Sequence, residues 1–233
     1  MREVIFDTET TGLDPKTGDR MVEIGCVEMV GRVETGRSYH AYYNPERDMP
    51  AAAEAVHGLS ASFLSGKPLF SETADELLEF LGDAPLVAHN AGFDFGFLNA
   101  ELERIGREPI DMDRMVDTVA LARKKHPGAK LSLDALCTRY GIDRSHRVKH
   151  GALLDAELLA QVYVELTGGR QIGLELAAEA SVATPAAKQT VQVAAPPAQS
   201  KAYREPRPHS ASPDELERHK EFIAGIEKAI WAQ

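Results

Sequence analysis

Val4-Ile5-Phe6-Asp7-Thr8-Glu9-Thr10-Thr11-Gly12-Leu13, "VIFDTETTGL" (residues 4–13), drives an apolar run into two carboxylates and then into a glycine-containing turn. Val4 to Glu9 has the composition of a buried strand, and alternate side chains of a strand share a face. Asp7 and Glu9 therefore point the same way. Like charges on one buried face repel and raise each other's proton affinity. Three compensations are open: exposure to solvent, a neighbouring Arg or Lys, or a divalent cation. No basic residue follows until Lys16, which makes the cation the more economical answer.

Outward from this strand, further strand-like runs occupy Met21–Val30, Ser38–Tyr43, Pro85–His89 and Met115–Thr118. Helical periodicity covers 71–82, 94–106, 118–125, 132–140 and 152–167. Ser132 is placed to cap its helix, and Thr73 with Glu76 has capping-box spacing. Three strands with short connections predict an antiparallel meander. Later strands alternate with helices, which predicts parallel additions to the same sheet. The expectation is an α/β domain built on a mixed five-stranded sheet flanked by helices.

Two more carboxylates sit among apolar residues. In "AHNAGFDFGFLNAELERIG", Asp94 precedes Phe97 and Leu98 by three and four residues, on the stripe that Leu102 and Ile105 continue. In "HGALLDAELLAQVYVEL", Asp155 precedes Leu158, Leu159 and Val162 by three, four and seven. A core-facing Asp needs a partner. Each alone is explained as a cap or a buried hydrogen-bond acceptor. With the Asp7–Glu9 pair they favour a hard-cation site made of oxygen ligands.

"FDTETTGL", "HNAGFDFGFLN" and "HGALLD", in this order, resemble the three motifs of the DnaQ-like exonucleases of the DEDD superfamily, across about the first 170 residues. His150, five residues before Asp155, is similar to the branch that uses His rather than Tyr. Wider wording, "VHGLS" (56–60) and "HGALLDAELLAQVYVELTGG", resembles the epsilon proofreading subunits of bacterial DNA polymerase III. The resemblance implies a ribonuclease H-like fold and 3′–5′ exonuclease activity, with Asp7, Glu9, Asp94 and Asp155 holding two Mg²⁺ or Mn²⁺ ions. Asp7 would bridge both ions, Glu9 and Asp155 would hold the nucleophile-side ion, and Asp94 would act on the other side. Such a pair clamps the attacking and leaving oxygens of an in-line displacement at phosphorus. His150 would be the general base. His146 is its rival in the basic loop "DRSHRVKH", but only His150 has the family's spacing. A His and an Asp five apart diverge on one continuous helix, so His150 is expected on the loop before the helix.

Further substrate contacts are expected from Thr8, Thr10, Gly12 and Leu13, beside Asp7, Glu9 and Asp155. His57 resembles a substrate-contacting position. The family often carries Glu five residues before it, where this chain has Ala52. Asn90 and Phe93 are expected to line the pocket, with His89 and Asn90 equally placed to act as hydrogen-bonding supports.

The 233 residues carry 36 acidic against 26 basic side chains, a net charge of −10. That argues against a broad basic nucleic-acid surface and leaves room for phosphate met through metal ions. Cys26 and Cys137 lack CxxC partners and are read as buried apolar residues. With no signal peptide and no long apolar run, no membrane partner is expected and the chain is read as cytoplasmic, in a nucleoid-associated replisome.

Beyond the nuclease domain (1–170), "QIGLEL" (171–176) resembles a sliding-clamp-binding peptide through Gln171, Leu174 and Leu176; the alternative is a last element packing on the core. Residues 177–209, rich in Ala and Pro, are expected to be a flexible linker. In 210–233, Ser212 and Pro213 start a helix whose stripe comprises Leu216, Phe222, Ile223, Ile226 and Ile230, followed by Trp231. Such a stripe packs back on the domain or docks into a partner. The resemblance implies the polymerase III alpha (catalytic) subunit, with proofreading of the DNA primer 3′ end in trans. The rival functions are a stand-alone DnaQ-like DNA or RNA 3′ exonuclease and a catalytically silent scaffold for polymerase and clamp.

Overall fold

The computed structural model describes residues 1–147, 149–169 and 211–225. The expected sheet forms: β1 (Arg2–Thr10), β2 (Met21–Val30), β3 (Val33–Tyr42), β4 (Leu86–Ala88) and β5 (Met115–Asp117) lie in the order β3-β2-β1-β4-β5. β1, β2 and β3 pair antiparallel, whereas β4 joins β1 and β5 joins β4 in parallel. β3 starts five residues before the expected Ser38. Gly31 and Arg32, at φ 59° and 67°, make a two-residue turn that pairs Val30 with Val33. Positive φ at both positions gives the twist that a tight hairpin needs. The start of β3 is exposed and polar, so no buried alternation marks it.

Each face of the sheet has its own core. Val4 and Phe6 pack with α3 (Phe70–Leu81) and α4 (Gly92–Arg104), while Ile5 packs with α6 (Leu133–Tyr140) and α7 (Ala152–Leu166). α5 (Thr118–Lys125) adds Ala122 to the second core. Cys26 and Cys137 are buried, free thiols. Ser132 accepts from the Ala135 N–H, as a cap should.

Thr73 and Glu76 do not form a capping box. The helix begins three residues earlier, and Glu72 accepts from the Leu69 N–H at 2.6 Å, which leaves Thr73 inside the helix. Two short helices, α1 (Ala51–His57) and α2 (Ala61–Leu64), were not expected. They contribute only His57 and Leu64 to the interior and so lack an apolar stripe.

The C-terminal segment is a separate unit. In it α8 (Pro213–Ala224) carries a full capping box, Ser212 with Glu215, and leaves Leu216 and Phe222 exposed. Ile226, Ile230, Trp231, the 177–209 linker and the peptide with Gln171, Leu174 and Leu176 lie outside the described residues. Among the described residues no helix is long and apolar enough to cross a membrane.

Candidate active site

The site lies where parallel strands end and helices begin, the place where open α/β sheets bind ligands. Asp7 and Glu9 come from the last half of β1, beside a bulge between Glu9 and Thr10. The extra residue is Val22 of β2, opposite the end of β1. Asp94 lies in the first turn of α4, and Asp155 in the first turn of α7. Both helices thus aim their electropositive N-termini at the carboxylates, which favours negative charge.

One pocket is lined by Asp7, Glu9, Asp94, Asp155 and His150, with Thr8, His89, Phe93, Ser132, Leu133, Asp134 and Arg147 around them. His150 is on the loop before α7, as expected, with Nδ1 3.3 Å from Asp155 Oδ2. His146 is exposed and does not line the pocket.

Asp94 and Asp155 are buried, at 2% and 3% exposure. Asp94 Oδ1 accepts from the Thr8 N–H at 3.1 Å and the Thr8 hydroxyl at 2.8 Å. Burial still lifts its pKa to about 7 against those hydrogen bonds. Burial also pushes Asp7 well above the usual carboxylate range, helped by Asp94, Glu9 and Asp155 and opposed by Arg147. Glu9 rises to about 8, through burial first and the Glu23 carboxylate second. Glu23 faces Glu9 across the β1–β2 ladder and is itself buried against His40 Nε2 at 2.7 Å.

The other expected contacts divide. Thr8 and Phe93 line the pocket. Thr10, Gly12 and Leu13 do not: the Thr10 hydroxyl donates to the Gly12 carbonyl at 2.6 Å, and Leu13 is 85% exposed on the following turn. A side chain on Gly12 would meet the Asp19 carboxylate, which would have to move aside. His57 is buried, with Nδ1 accepting from the Leu59 N–H, and lies outside the pocket lining. Asn90 also lies outside it. Its left-handed backbone (φ 65°) is tied to Asp117 through its N–H, while the neighbouring His89 reaches the pocket and pairs with Thr118.

Two residues that position the site escaped the sequence reading. Arg147 puts a guanidinium on Asp155, with Nη2–Oδ2 and Nε–Oδ1 both at 2.6 Å, so a basic residue distant from Asp7 in sequence supplies charge here. Gly25 is the cross-strand partner of Asp7, and a Cβ there would lie 2.2 Å from the Leu153 backbone nitrogen. Glycine alone lets the start of α7 rest on β2 and bring Asp155 beside Asp7. The signal in sequence was a lone glycine within an otherwise buried strand.

The donors suit a divalent cation. Asp155 Oδ1 is buried and, among the described residues, accepts no hydrogen bond, because Arg147 Nε approaches it without hydrogen-bond alignment. Ligand atoms of Glu9, His150 and Asp155 lie within 4.8 Å of one another. Crowded carboxylate oxygens with one imidazole match hard-cation chemistry.

Residues 4–163 match the exonuclease family model. The DNA polymerase III subunit epsilon of Rickettsia felis is 48% identical over 98% of each chain. That of Escherichia coli K12 is 42% identical over 82% of this chain and 81% of the relative. The nuclease domain of 3′hExo, a DEDDh family member bound to rAMP, shares the fold at a TM-score of 0.62, with 17% identity over 71% of this chain and 91% of that one. The chain belongs to the exonuclease family, among its DNA polymerase III epsilon subunits.

Proposed function

We infer that this chain is the 3′–5′ proofreading exonuclease of a replicative DNA polymerase, removing mismatched 3′-terminal nucleotides by phosphodiester hydrolysis. The observation that carries the reading is the convergence of Asp7, Glu9, Asp94, Asp155 and His150 on one pocket. Asp7, Glu9, Asp94 and Asp155 would hold two Mg²⁺ or Mn²⁺ ions. Bound there, the ions lower the pKa of water and neutralise charge developing on the phosphate oxygens.

This chain's residues do the rest. His150, half exposed at the pocket rim, takes the proton of the attacking water. The water oxygen bonds to the terminal phosphorus as the bond to the preceding 3′ oxygen breaks. That oxygen takes up a proton, giving a 5′-monophosphate nucleotide and a shortened 3′ end. Phe93, half-buried on the wall, offers an aromatic face to the terminal base.

The polymerase partner is supported by the epsilon names of the relatives and by the exposed Leu216 and Phe222 on α8. In this reading residues 1–170 form the nuclease, 171–176 bind the sliding clamp through Gln171, Leu174 and Leu176, and 177–209 link to a 210–233 segment that docks on the alpha subunit. Tethering keeps the nuclease concentrated beside the primer terminus, in the cytoplasm at the replisome. Removal of residues after 205 is expected to release the alpha subunit in co-purification; a surviving complex contradicts this assignment.

The central test is degradation of a mismatched DNA primer with and without Mg²⁺. Asp7→Ala is expected to lower the rate by at least about 10³-fold, and His150→Ala by about 10²–10⁴-fold. Rates near wild type in either variant would remove that residue from the site.

A further inference from the structure

Asp155 is held by a guanidinium that also pairs with Asp134 on the pocket wall. Its two oxygens face that guanidinium, itself 9% exposed: Arg147 Nη2 donates to Oδ2 at 2.6 Å, and Nε lies 2.6 Å from Oδ1. The same Nη2 donates to His150 Nδ1 at 2.7 Å, and Nη1 donates to Asp134 Oδ1 at 2.7 Å. One side chain therefore engages a metal-ligand candidate, the candidate general base and an anchor at the start of α6.

We propose that Arg147 is the resident counter-cation of this site, a positioning residue that competes with a divalent cation for Asp155 and releases His150 when displaced. The proposal rests on the metal-site reading of Asp155. A buried carboxylate needs a cationic or hydrogen-bonding partner, and the guanidinium supplies it. The Asp155 oxygens it covers are those a divalent cation would use, and two cations at that range repel strongly where water is scarce. Arg147 and the metal therefore exclude each other. Asp134, which also pairs with Arg144 at 2.8 Å, keeps the guanidinium tethered at the rim after it leaves Asp155. His150 stands three residues beyond Arg147, so the departure that opens Asp155 also frees Nδ1. Loading of the site and readiness of its base become one event.

The test is calorimetric titration of the full chain with Mn²⁺, paired with thermal unfolding in EDTA. Arg147→Met is expected to melt at lower temperature in EDTA yet bind Mn²⁺ on the order of tenfold more tightly. Arg147→Lys, which keeps a charge, is expected to stay nearer wild type in both. A purely structural Arg147 would lower stability and metal affinity together, so Mn²⁺ binding by Arg147→Met that is equal or weaker overturns the competition. If Arg147→Met does not fold, Arg147→Gln keeps a donor beside Asp155 without the charge; it should tighten Mn²⁺ binding by a similar factor, and unchanged or weaker binding overturns the proposal. Failure of the wild-type chain to bind Mn²⁺ at all has a separate meaning: the metal-site reading itself fails, and the competition with it.

Discussion

Asp94 and Asp155 enter the pocket from the first turns of two helices, both almost fully buried, yet they are held in opposite ways. Asp94 takes two hydrogen bonds from one residue of the adjacent strand, the Thr8 N–H and hydroxyl. Asp155 takes an ion pair from a loop arginine and, among the described residues, leaves one oxygen without a hydrogen bond. Neutral donors fixed to a strand orient a carboxylate without competing for its charge. A guanidinium competes for it. The two sides of the site therefore differ in what must move before a cation is bound: little at Asp94, an arginine at Asp155.

The sharpest way to break the Asp155 side is at Gly25, where α7 touches β2. Gly25→Val sets a side chain against the Ala152–Leu153 backbone, where relief requires moving the helix. A loss of about 3 kcal/mol in denaturant unfolding is expected. Displacement of Asp155 should also cost on the order of 100-fold in nuclease rate. Wild-type activity in Gly25→Val would show that the contact does not set the position of Asp155.

A pH series compares the whole cluster with and without metal. Glu9 near 8 and Asp94 near 7 lie above the ordinary carboxylate values of 4.5 and 3.8, so the metal-free fold holds protons that the unfolded chain has released. Their contribution to stability is complete below about pH 4 and is lost as pH rises through 7 to 8. A divalent cation displaces those protons and replaces them as compensation. The rise in melting temperature caused by Mg²⁺ over EDTA should therefore be greater at pH 8.5 than at pH 6. A rise independent of pH would separate the cation from these carboxylates.

The smallest effect is expected on the Asp94 side. Thr8→Val keeps the backbone N–H but deletes the hydroxyl bond, at a cost of about 1 kcal/mol in chemical denaturation. Mn²⁺ affinity should change little, because no charge is removed. A tenfold change would erase the contrast between the two sides.

Much of the site could be read in the chain. Asp7 and Glu9 stood out because charges interrupt a buried strand, and Asp94 and Asp155 because they extend apolar helical stripes. The antiparallel and parallel parts of the sheet followed from short connections first and helical crossovers later. Arg147 is not legible from the sequence neighbours of Asp7, because the guanidinium arrives from a loop 140 positions away. For Asn90 the motif leaves two places open, the pocket wall or a hydrogen-bonding support, and the fold selects the support. A left-handed backbone turns that residue into a brace and lets His89 face inward.

By itself the sequence determined the five strands in outline, the amphipathic helices and the identity of the acids, because periodicity and composition are local properties. Tertiary structure alone decided how those acids are compensated. The partners of a buried charge are whatever the fold packs within a few ångströms of it: Thr8 against Asp94, Arg147 against Asp155, and a bare glycine that lets α7 approach closely enough to complete the set.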